Sequence, residues 1–176
     1  SEIQGFVSDT HDPIEFDRVL ATVLFTDIVD STRQATQMGD TQWRHLVDAH
    51  FSMARHQIRR HRGHEVKSLG DGILATFDGP GRAVRCAKAI SESMKPLGIS
   101  IRAGLHTGEV ELRDDQDISG IAVSIASRIS HLAKGGEVLV SSTVKDLVAG
   151  SGLAFMNLGE QSLKGLEGPL QIFRVT

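Results

Sequence analysis

A hairpin signature in the first half of the chain constrains its fold more than any other feature. Two short β-rich segments, residues 65–69 and 73–77, flank the sequence Gly70-Asp71-Gly72. An Asp-Gly turn between two such segments predicts a β-hairpin, in which the two strands are antiparallel neighbours. The hairpin therefore favours a sheet with antiparallel pairing over a sheet built only from parallel crossovers.

Strand and helix patterns alternate around this hairpin. Further strands are predicted at residues 19–29, 99–112 and 138–140, and as short strands within 155–176. Helices are predicted from Ser31 or Thr32 through Ile58, over residues 82–94 and 121–132, and after the capping residue Ser141. The pattern predicts an α+β or α/β sandwich, with helices on one face of a mainly antiparallel sheet.

The length of the chain suits one domain. With 176 residues, a domain buries enough surface to fold without disulfides or a structural metal. Residues 1–18 are polar and acidic and include Pro13, so we interpret them as an N-terminal arm or linker and residues 19–176 as the domain. A chain that begins with Ser1 is also compatible with a piece of a longer protein.

Charge and cysteine content narrow the classes of partner. The formal net charge of -3 argues against a general nucleic-acid binder. The basic run of residues 55–62 lacks interleaved aromatic side chains, so we interpret it as a solvated helix end.

The single cysteine, Cys86, has no internal disulfide partner, which predicts a reducing compartment and a cytoplasmic location. The apolar stretches are far shorter than the ~20 residues of a membrane span, so no membrane segment is predicted.

Two carboxylates are candidates for a metal site. Asp27 follows the first β-rich run and Asp71 lies in the hairpin turn. Mg²⁺ binds one or two carboxylates, and substrate phosphates complete its coordination shell. The residues alone leave a second interpretation open, in which Asp71 is a simple turn residue and Asp27 a charge at a helix N-terminus.

The segment after Asp27 has the character of a phosphate site. It leads from a strand into a helix N-terminus, where free amides and the helix dipole favour an anion. The candidate phosphate-binding residues are Ile28, Val29, Asp30, Ser31 and Thr32. Neither Gly-x-x-x-x-Gly-Lys-Ser/Thr nor Gly-x-Gly-x-x-Gly occurs, which argues against a P-loop and a dinucleotide-binding domain.

Three further polar residues are candidates for ligand contacts. Lys67 precedes Asp71 by four residues, and their Cα atoms are ~13 Å apart on an extended strand, too far to contact one ligand atom. Ser124 and Arg128 are four apart and share one helix face, and an arginine suits the charge that develops in phosphoryl transfer. The alternatives, a solvated lysine and a surface arginine, stay open at this point.

Five sequence blocks, taken in order, resemble the catalytic domain of class III nucleotide cyclases, the adenylyl and guanylyl cyclase family, in its bacterial, mycobacterial type. The blocks are residues 25–32, 67–72, 101–108, 117–128 and 163–166. The spacing of 44 residues between Asp27 and Asp71 is similar to the spacing in that family. The resemblance covers residues 18–176 and implies a ferredoxin-like, palm-type sheet with helices packed on it.

The resemblance implies a metal site and a base-reading pair. Asp27 and Asp71, with the carbonyl of Ile28, would hold two Mg²⁺ or Mn²⁺ ions. Lys67 would donate to adenine N1 and Asp117 would accept from the adenine amine, which implies ATP as the substrate. The expected reaction is the conversion of ATP to 3′,5′-cyclic AMP and pyrophosphate.

The resemblance also implies roles for the remaining cations. Arg102 and Lys164 would bind the polyphosphate, and Arg128 would stabilise charge on the α-phosphate. Each active site would form across a head-to-tail homodimer. One chain would supply the metal residues and Arg102, and the other would supply Lys67, Asp117, Arg128 and Lys164.

One position departs from the family pattern. The family usually has Asn four residues before the transition-state arginine, and this chain has Ser124. Ser124 is therefore a catalytic candidate with one hydroxyl in place of an amide. This departure keeps a second interpretation open, in which the domain is a catalytically weak or silent module that binds a nucleotide or a partner. The Gly-Gly-Asp/Glu-Glu-Phe signature of diguanylate cyclases is absent.

Overall fold

A computed structural model describes residues 17–176 of the chain. The strands are β1 (Asp17–Ile28), β2 (His64–Leu69), β3 (Gly72–Phe77), β4 (Ile101–Leu112), β5 (Ile118–Ser119), β6 (Val138–Ser141), β7 (Phe155–Ser162) and β8 (Pro169–Val175). The helices are α1 (Ser31–Met38), α2 (Asp40–Arg60), α3 (Pro80–Met94), α4 (Ile121–Leu132) and α5 (Ser142–Leu147), and a 3₁₀ turn (Lys95–Leu97) follows α3.

All strands belong to one sheet. Its order is β2-β3-β1-β4-β6-β8-β7, and β5 pairs with β4 outside this path. The β4–β6 pair is parallel, and the other pairs are antiparallel. The predicted mainly antiparallel sheet is therefore confirmed, and so is the predicted hairpin, since β2 and β3 are joined by the two-residue turn Gly70-Asp71.

The two longest strands, β1 and β4, form the centre of the sheet. They pair from Asp17 opposite Leu112 to Ile28 opposite Ile101. On β1 the neighbouring residues Val23 and Leu24 are both fully buried. Because successive side chains of a strand point to opposite faces, both faces of the sheet require a covering layer at this position.

Helices accordingly cover both faces, and the prediction of helices on one face is wrong. Leu24 packs in the main core with residues of α2 and α3. Val23 packs on the opposite side with Ala122 and Ala126 of α4. The continuous apolar run of β1, which does not alternate with polar residues, is the sequence signal of such two-sided burial.

Two boundaries differ from the sequence prediction. The predicted helix from Ser31 to Ile58 is divided at Gly39, whose positive φ of 91° interrupts the helical backbone between α1 and α2. The predicted N-terminal arm ends at Arg18, whereas Asp17 and Arg18 already belong to β1. Residues 1–16 of that arm lie outside the described residues.

The structure also bears on the lengths of the apolar helices and on the environment of Cys86. Within residues 17–176, no helix is both long enough and apolar enough to cross a bilayer. Cys86 is fully buried in α3, and burial raises the pKa of its thiol to about 12. The thiol therefore stays protonated at neutral pH and serves as a core side chain.

Candidate active site

The hairpin turn between β2 and β3 lies against the end of β1. Thr26 of β1 pairs with Ile73 of β3, and a Cβ at Gly72 would collide with the carbonyl oxygen of Thr26. Only glycine fits this close approach. The approach brings Asp71, which precedes Gly72, to Asp27, and a protonated Asp71 donates a hydrogen bond to the Asp27 carboxylate. The two predicted metal ligands are therefore neighbours.

The two carboxylates differ in their acidity. Burial and, after it, the neighbouring Asp27 together raise the pKa of Asp71 to about 6. Burial also opposes ionisation of Asp27, but hydrogen bonds with Asp71 and Arg102 outweigh this effect and lower the pKa of Asp27. Such a divergence is expected where two like charges share one site.

Arg102 lies beside the carboxylate pair. It is the second residue of β4 and stands directly opposite Asp27 in the β1–β4 register. Its Nη2 and Nε atoms donate to Oδ2 of Asp27, at 2.9 Å and 3.3 Å. The side chains are 29% (Arg102) and 32% (Asp27) exposed, so solvent reaches this ion pair.

The segment from Ile28 to Thr32 wraps around the carboxylates. The nearby amide of Ile28 lowers the pKa of both carboxylates, and the side chain of Ser31 lowers the pKa of Asp71. The amide of Val29 donates to the carbonyl of Ser100 at 2.9 Å. The Val29 amide, one of the five predicted phosphate-binding amides, is thus already engaged.

Three amides of this segment, those of Asp30, Ser31 and Thr32, are available for an anion. Asp30 has a left-handed backbone with φ of 59°, and its side chain does not cap α1. Within residues 17–176, the amides of Asp30, Ser31 and Thr32 have no hydrogen-bond acceptor. Free amides at the start of an eight-residue helix, beside two carboxylates, suit a phosphate that is bound together with a cation.

The donor set fits a hard divalent cation. Two half-buried carboxylates at hydrogen-bond distance repel each other when both are ionised, and a cation between them removes this repulsion. Carboxylate oxygens are the ligands that Mg²⁺ and Mn²⁺ prefer. In the described part of the chain no third His, Cys, Asp or Glu joins them, so water and substrate oxygens would complete the coordination shell.

Lys67 and Asp117 form a second charged pair. Lys67 lies on β2 and Asp117 in the loop before β5, and the structure brings Nζ of Lys67 to 2.8 Å from Oδ2 of Asp117. The hydrogen bond with Lys67 holds the pKa of Asp117 below its usual range, and the amide of Ile118 adds to this effect. The pair presents one donor and one acceptor side by side in an exposed position.

Helix α4 forms the third part of the site. Its backbone contacts β4 closely, since a Cβ at Gly104 would collide with the backbone of Ser130. Ser124 and Arg128, one helical turn apart, line a pocket of about 290 Å³ together with Lys164 and Gly165. Lys164 belongs to the loop between β7 and β8, and the Arg128 guanidinium lies beside Gly165. The predicted transition-state and phosphate cations therefore share one pocket.

Sequence reasoning missed two residues of a neighbouring hollow. Phe25 and His131 line a depression of about 390 Å³ that also includes Ser124 and Arg128. His131 follows Arg128 by three residues, so helical spacing could have identified it. Phe25 gave no comparable signal, because its approach to α4 depends on the pairing of β1 with β4.

The carboxylates and the α4 pocket are separate groups in one chain. Among residues 17–176, no hydrogen bond or ion pair connects Asp27 or Asp71 with Ser124, Arg128 or Lys164. Neither Asp27 nor Asp71 lines the pocket that contains Arg128 and Lys164. The predicted site residues thus form three clusters: the carboxylates with Arg102, the Lys67–Asp117 pair, and the α4 pocket.

Comparisons with known sequences agree on one family. The profile of the family described as "Adenylate and Guanylate cyclase catalytic domain" matches residues 15–176. An uncharacterized protein of Mycobacterium tuberculosis is 38% identical over 154 residues, which cover 84% of this chain and 53% of that protein. An adenylate cyclase of Podospora anserina is 28% identical over 217 aligned residues, covering 88% of this chain and 10% of that protein. The chain thus spans about half or less of the length of these curated relatives.

A comparison with solved structures supports the same fold. The adenylyl cyclase CyaB of Pseudomonas aeruginosa superimposes with a TM-score of 0.87, covering 93% of this chain and 96% of that one. The two sequences are 24% identical, so this likeness establishes the fold alone.

Proposed function

Since this chain belongs to the class III nucleotide cyclases, the family of adenylate and guanylate cyclase catalytic domains, we propose that it converts ATP to 3′,5′-cyclic AMP and pyrophosphate. In this reaction the ribose 3′ oxygen forms a bond to the α-phosphorus, the bond from that phosphorus to the pyrophosphate breaks, and the 3′-hydroxyl proton passes to Asp27, to the substrate or to water. An adenylate cyclase is among the relatives of this chain.

The pairing of Lys67 with Asp117 is the observation that carries the choice of adenine. The two residues are 50 positions apart, yet their charged atoms lie 2.8 Å apart. An ammonium group donates to adenine N1, and a carboxylate accepts from the exocyclic amine. Guanine presents an N–H and a carbonyl at these two positions, so the same pair would place a donor on a donor and an acceptor on an acceptor.

The carboxylate cluster would prepare the reacting groups. Asp27 and Asp71 would hold two Mg²⁺ or Mn²⁺ ions, with the carbonyl of Ile28 as a further ligand. When bound, these ions supply Lewis-acid activation of the 3′-hydroxyl and charge neutralisation of the triphosphate. The free amides of Asp30, Ser31 and Thr32 would bind phosphate oxygens beside them.

The cations of the other clusters would bind and stabilise phosphate charge. Lys164 and Arg102 would hold the polyphosphate, and Arg128 would donate to the α-phosphate as its negative charge increases in the transition state. Ser124 lines the pocket with Arg128 and would offer one hydroxyl donor, directly or through a water. The protein thus contributes mainly positioning and electrostatics.

The separation of the clusters supports a head-to-tail homodimer. Neither Asp27 nor Asp71 lines the pocket that contains Arg128 and Lys164 in the same chain. In a twofold dimer the carboxylates of one chain would face the α4 pocket and the Lys67–Asp117 pair of the other, twice per dimer. A cytoplasmic location is part of the proposal and fits the single buried thiol of Cys86.

The test is a product assay on the purified chain. With Mn²⁺ and equimolar ATP and GTP, we expect cyclic AMP in large excess over cyclic GMP, identified by chromatography and mass spectrometry. Asp27→Asn is the inactive control. An excess of cyclic GMP would contradict the role of the Lys67–Asp117 pair. Nucleotide binding without any cyclic product would instead favour the silent module suggested by Ser124.

A further inference from the structure

Arg102 differs from Arg128 and Lys164, the other cations predicted to bind phosphate, because it already has an anionic partner. Its guanidinium donates twice to Oδ2 of Asp27. Within residues 17–176, Arg128 and Lys164 form no ion pair, although they line a pocket suited to phosphate. Binding of polyphosphate alone does not require an ion pair between the arginine and a carboxylate on the neighbouring strand.

The register of the central strands places this contact at the carboxylate pair. Asp27 and Arg102 are directly opposite across the β1–β4 ladder, where side chains share one face and lie close together. The guanidinium therefore occupies one oxygen of the Asp27 carboxylate, the group that would bind a divalent cation. A monovalent and a divalent cation on the same oxygen repel each other, so they compete for it.

Arg102 can exchange its partner without repacking the core. About a third of each side chain is exposed, and the long arginine side chain has several rotamers available at a solvent-accessible strand end. A guanidinium released from Asp27 presents its N–H groups as a fork that suits phosphate oxygens.

We propose that Arg102 is a placeholder cation, which neutralises Asp27 in the empty enzyme and moves to the nucleotide's polyphosphate when divalent cations bind. The inference rests on the metal site of the proposed function. It couples the two ligands: loss of the Asp27 contact on metal binding frees Arg102 for phosphate, and phosphate that holds Arg102 leaves Asp27 free for the metal.

The test measures Mn²⁺ binding to the full chain without nucleotide, by electron paramagnetic resonance and calorimetry. Because an ion pair of this partly exposed kind is worth up to about a fivefold change in an equilibrium constant, Arg102→Gln should bind Mn²⁺ about two- to fivefold more tightly than the wild type. Arg102→Lys, which keeps the charge but loses the fork, should fall between the two.

Arg18→Gln is the matched control. Arg18 stands opposite Glu111 on the same two strands, with Nη2 3.6 Å from the carboxylate, at the far end of the ladder. Its replacement removes a cross-strand ion pair of the same type and should leave Mn²⁺ affinity unchanged. An equal gain in Arg18→Gln would overturn the proposal, since it would reflect net charge alone.

A second readout follows Arg102 itself. The nuclear magnetic resonance signal of its Nε–H group should shift on addition of Mg²⁺ without nucleotide, as the bond to Asp27 breaks. A stationary signal, or an unchanged or weaker Mn²⁺ affinity in Arg102→Gln, would overturn the placeholder. Lack of Mn²⁺ binding by both proteins would overturn it as well, together with the metal site. Unchanged affinity in a chain that forms cyclic AMP would refute the placeholder alone.

Discussion

The carboxylate cluster and the α4 pocket use charge in opposite ways. Around Asp27, opposite and like charges are crowded together, half-buried and bonded to each other through Asp71 and Arg102. In the α4 pocket, Arg128 and Lys164 face open space, and among residues 17–176 neither has an ion-pair partner. One region carries its own counter-charge, and the other lacks it.

The difference shows what each region is prepared to bind. A pair of carboxylates in close contact gains most from a cation, and two unpaired cations in a pocket gain most from an anion. A metal–triphosphate complex offers both charges at once. Neither region of one chain is complete for such a ligand, which is the physical argument for a site shared by two chains.

The largest effect is expected from removing a charge in the carboxylate cluster. Asp71→Asn deletes one predicted metal ligand, and Asn suits the turn before Gly72 as well as Asp does, so the hairpin should be retained. We expect cyclic AMP formation to fall by about 10³-fold or more, because Lewis-acid activation is worth several kcal/mol. Steady-state assays with circular dichroism as a folding check measure this loss. A residual activity above a tenth of wild type would show that Asp71 is not a ligand.

Mixing two variants, one defective in the α4 pocket and one in the carboxylate cluster, tests whether these regions of different chains meet across a dimer. Arg128→Ala should lower the rate about 10²- to 10³-fold by removing transition-state stabilisation. An equimolar mixture with Asp71→Asn should recover about a quarter of wild-type activity, because about half of randomly paired dimers are mixed and each holds one intact site.

A matched mixture controls this experiment. Asp27→Asn and Asp71→Asn damage the same cluster, so their mixture should contain no intact site and remain inactive. Absence of recovery in the first mixture would place both regions of a site in one chain, and recovery in the second would show that Asp27 and Asp71 serve different sites.

Exchanging the Lys67–Asp117 pair tests the third cluster. The double variant Lys67→Glu, Asp117→Cys should lose about 10²-fold in kcat/KM for ATP and gain relative preference for GTP, since donor and acceptor positions are reversed. Competition assays with both nucleotides measure the ratio. The carboxylate cluster is untouched, so Mn²⁺ affinity should stay constant. Intact use of ATP by this variant would refute the base-reading assignment.

The proximity of Asp27 and Asp71 should also affect how the free energy of unfolding depends on pH. The pKa of Asp71 is raised from 3.8 to about 6 in the folded chain, so between these values the folded state binds more protons than the unfolded state. This contribution to stability is complete below pH 3.8 and is lost as the pH rises through about 6. Above pH 6 the ionised Asp71 therefore destabilises the fold.

Asp71→Asn removes this destabilisation and serves as the comparison. In the presence of a chelator at pH 7, we expect its free energy of unfolding to exceed the wild-type value by about 1–2 kcal/mol, after allowance for solvent screening. At pH 4 the two proteins should be nearly equal. Urea titrations at both pH values measure the difference, and a variant that is less stable at pH 7 would contradict the predicted repulsion.

The smallest effect is expected in the α4 pocket at Ser124. Ser124→Asn introduces an amide with more hydrogen-bonding atoms beside Arg128. Because the pocket is open, the larger side chain fits without repacking, and kcat should stay constant or rise up to about tenfold. Single-turnover rates measure the change. A large fall in turnover with unchanged folding would show that the serine hydroxyl itself is required.

Much of the local structure could be predicted from the sequence. The strands around the Asp71 turn and helix α4 lie where turn chemistry and helical spacing place them. The break of the first predicted helix at Gly39 was missed, because glycine inside a helix is often tolerated. The prediction of helices on one face failed because periodicity within a strand says which residues are buried, and not which helix buries them.

The candidate site was predictable as a set of residues and not as an arrangement. Asp27, Asp71 and Arg128 were identified by residue type, spacing and resemblance. Their partners were not, because the bond from Arg102 to Asp27 connects residues 75 positions apart. Such contacts depend on strand register, which short sequence segments do not encode.

The sequence by itself determined the hairpin, the family and the candidate residues for binding a cation, a base and phosphate. Those properties follow from side-chain chemistry and from neighbours a few positions away. Only the tertiary structure decided that Arg102 rests on Asp27, that Lys67 meets Asp117, and that the carboxylates and the α4 pocket are separate within one chain. These outcomes depend on how β1 and β4 pair and how α4 packs on them, where the favourable energy comes from contacts between distant parts of the chain.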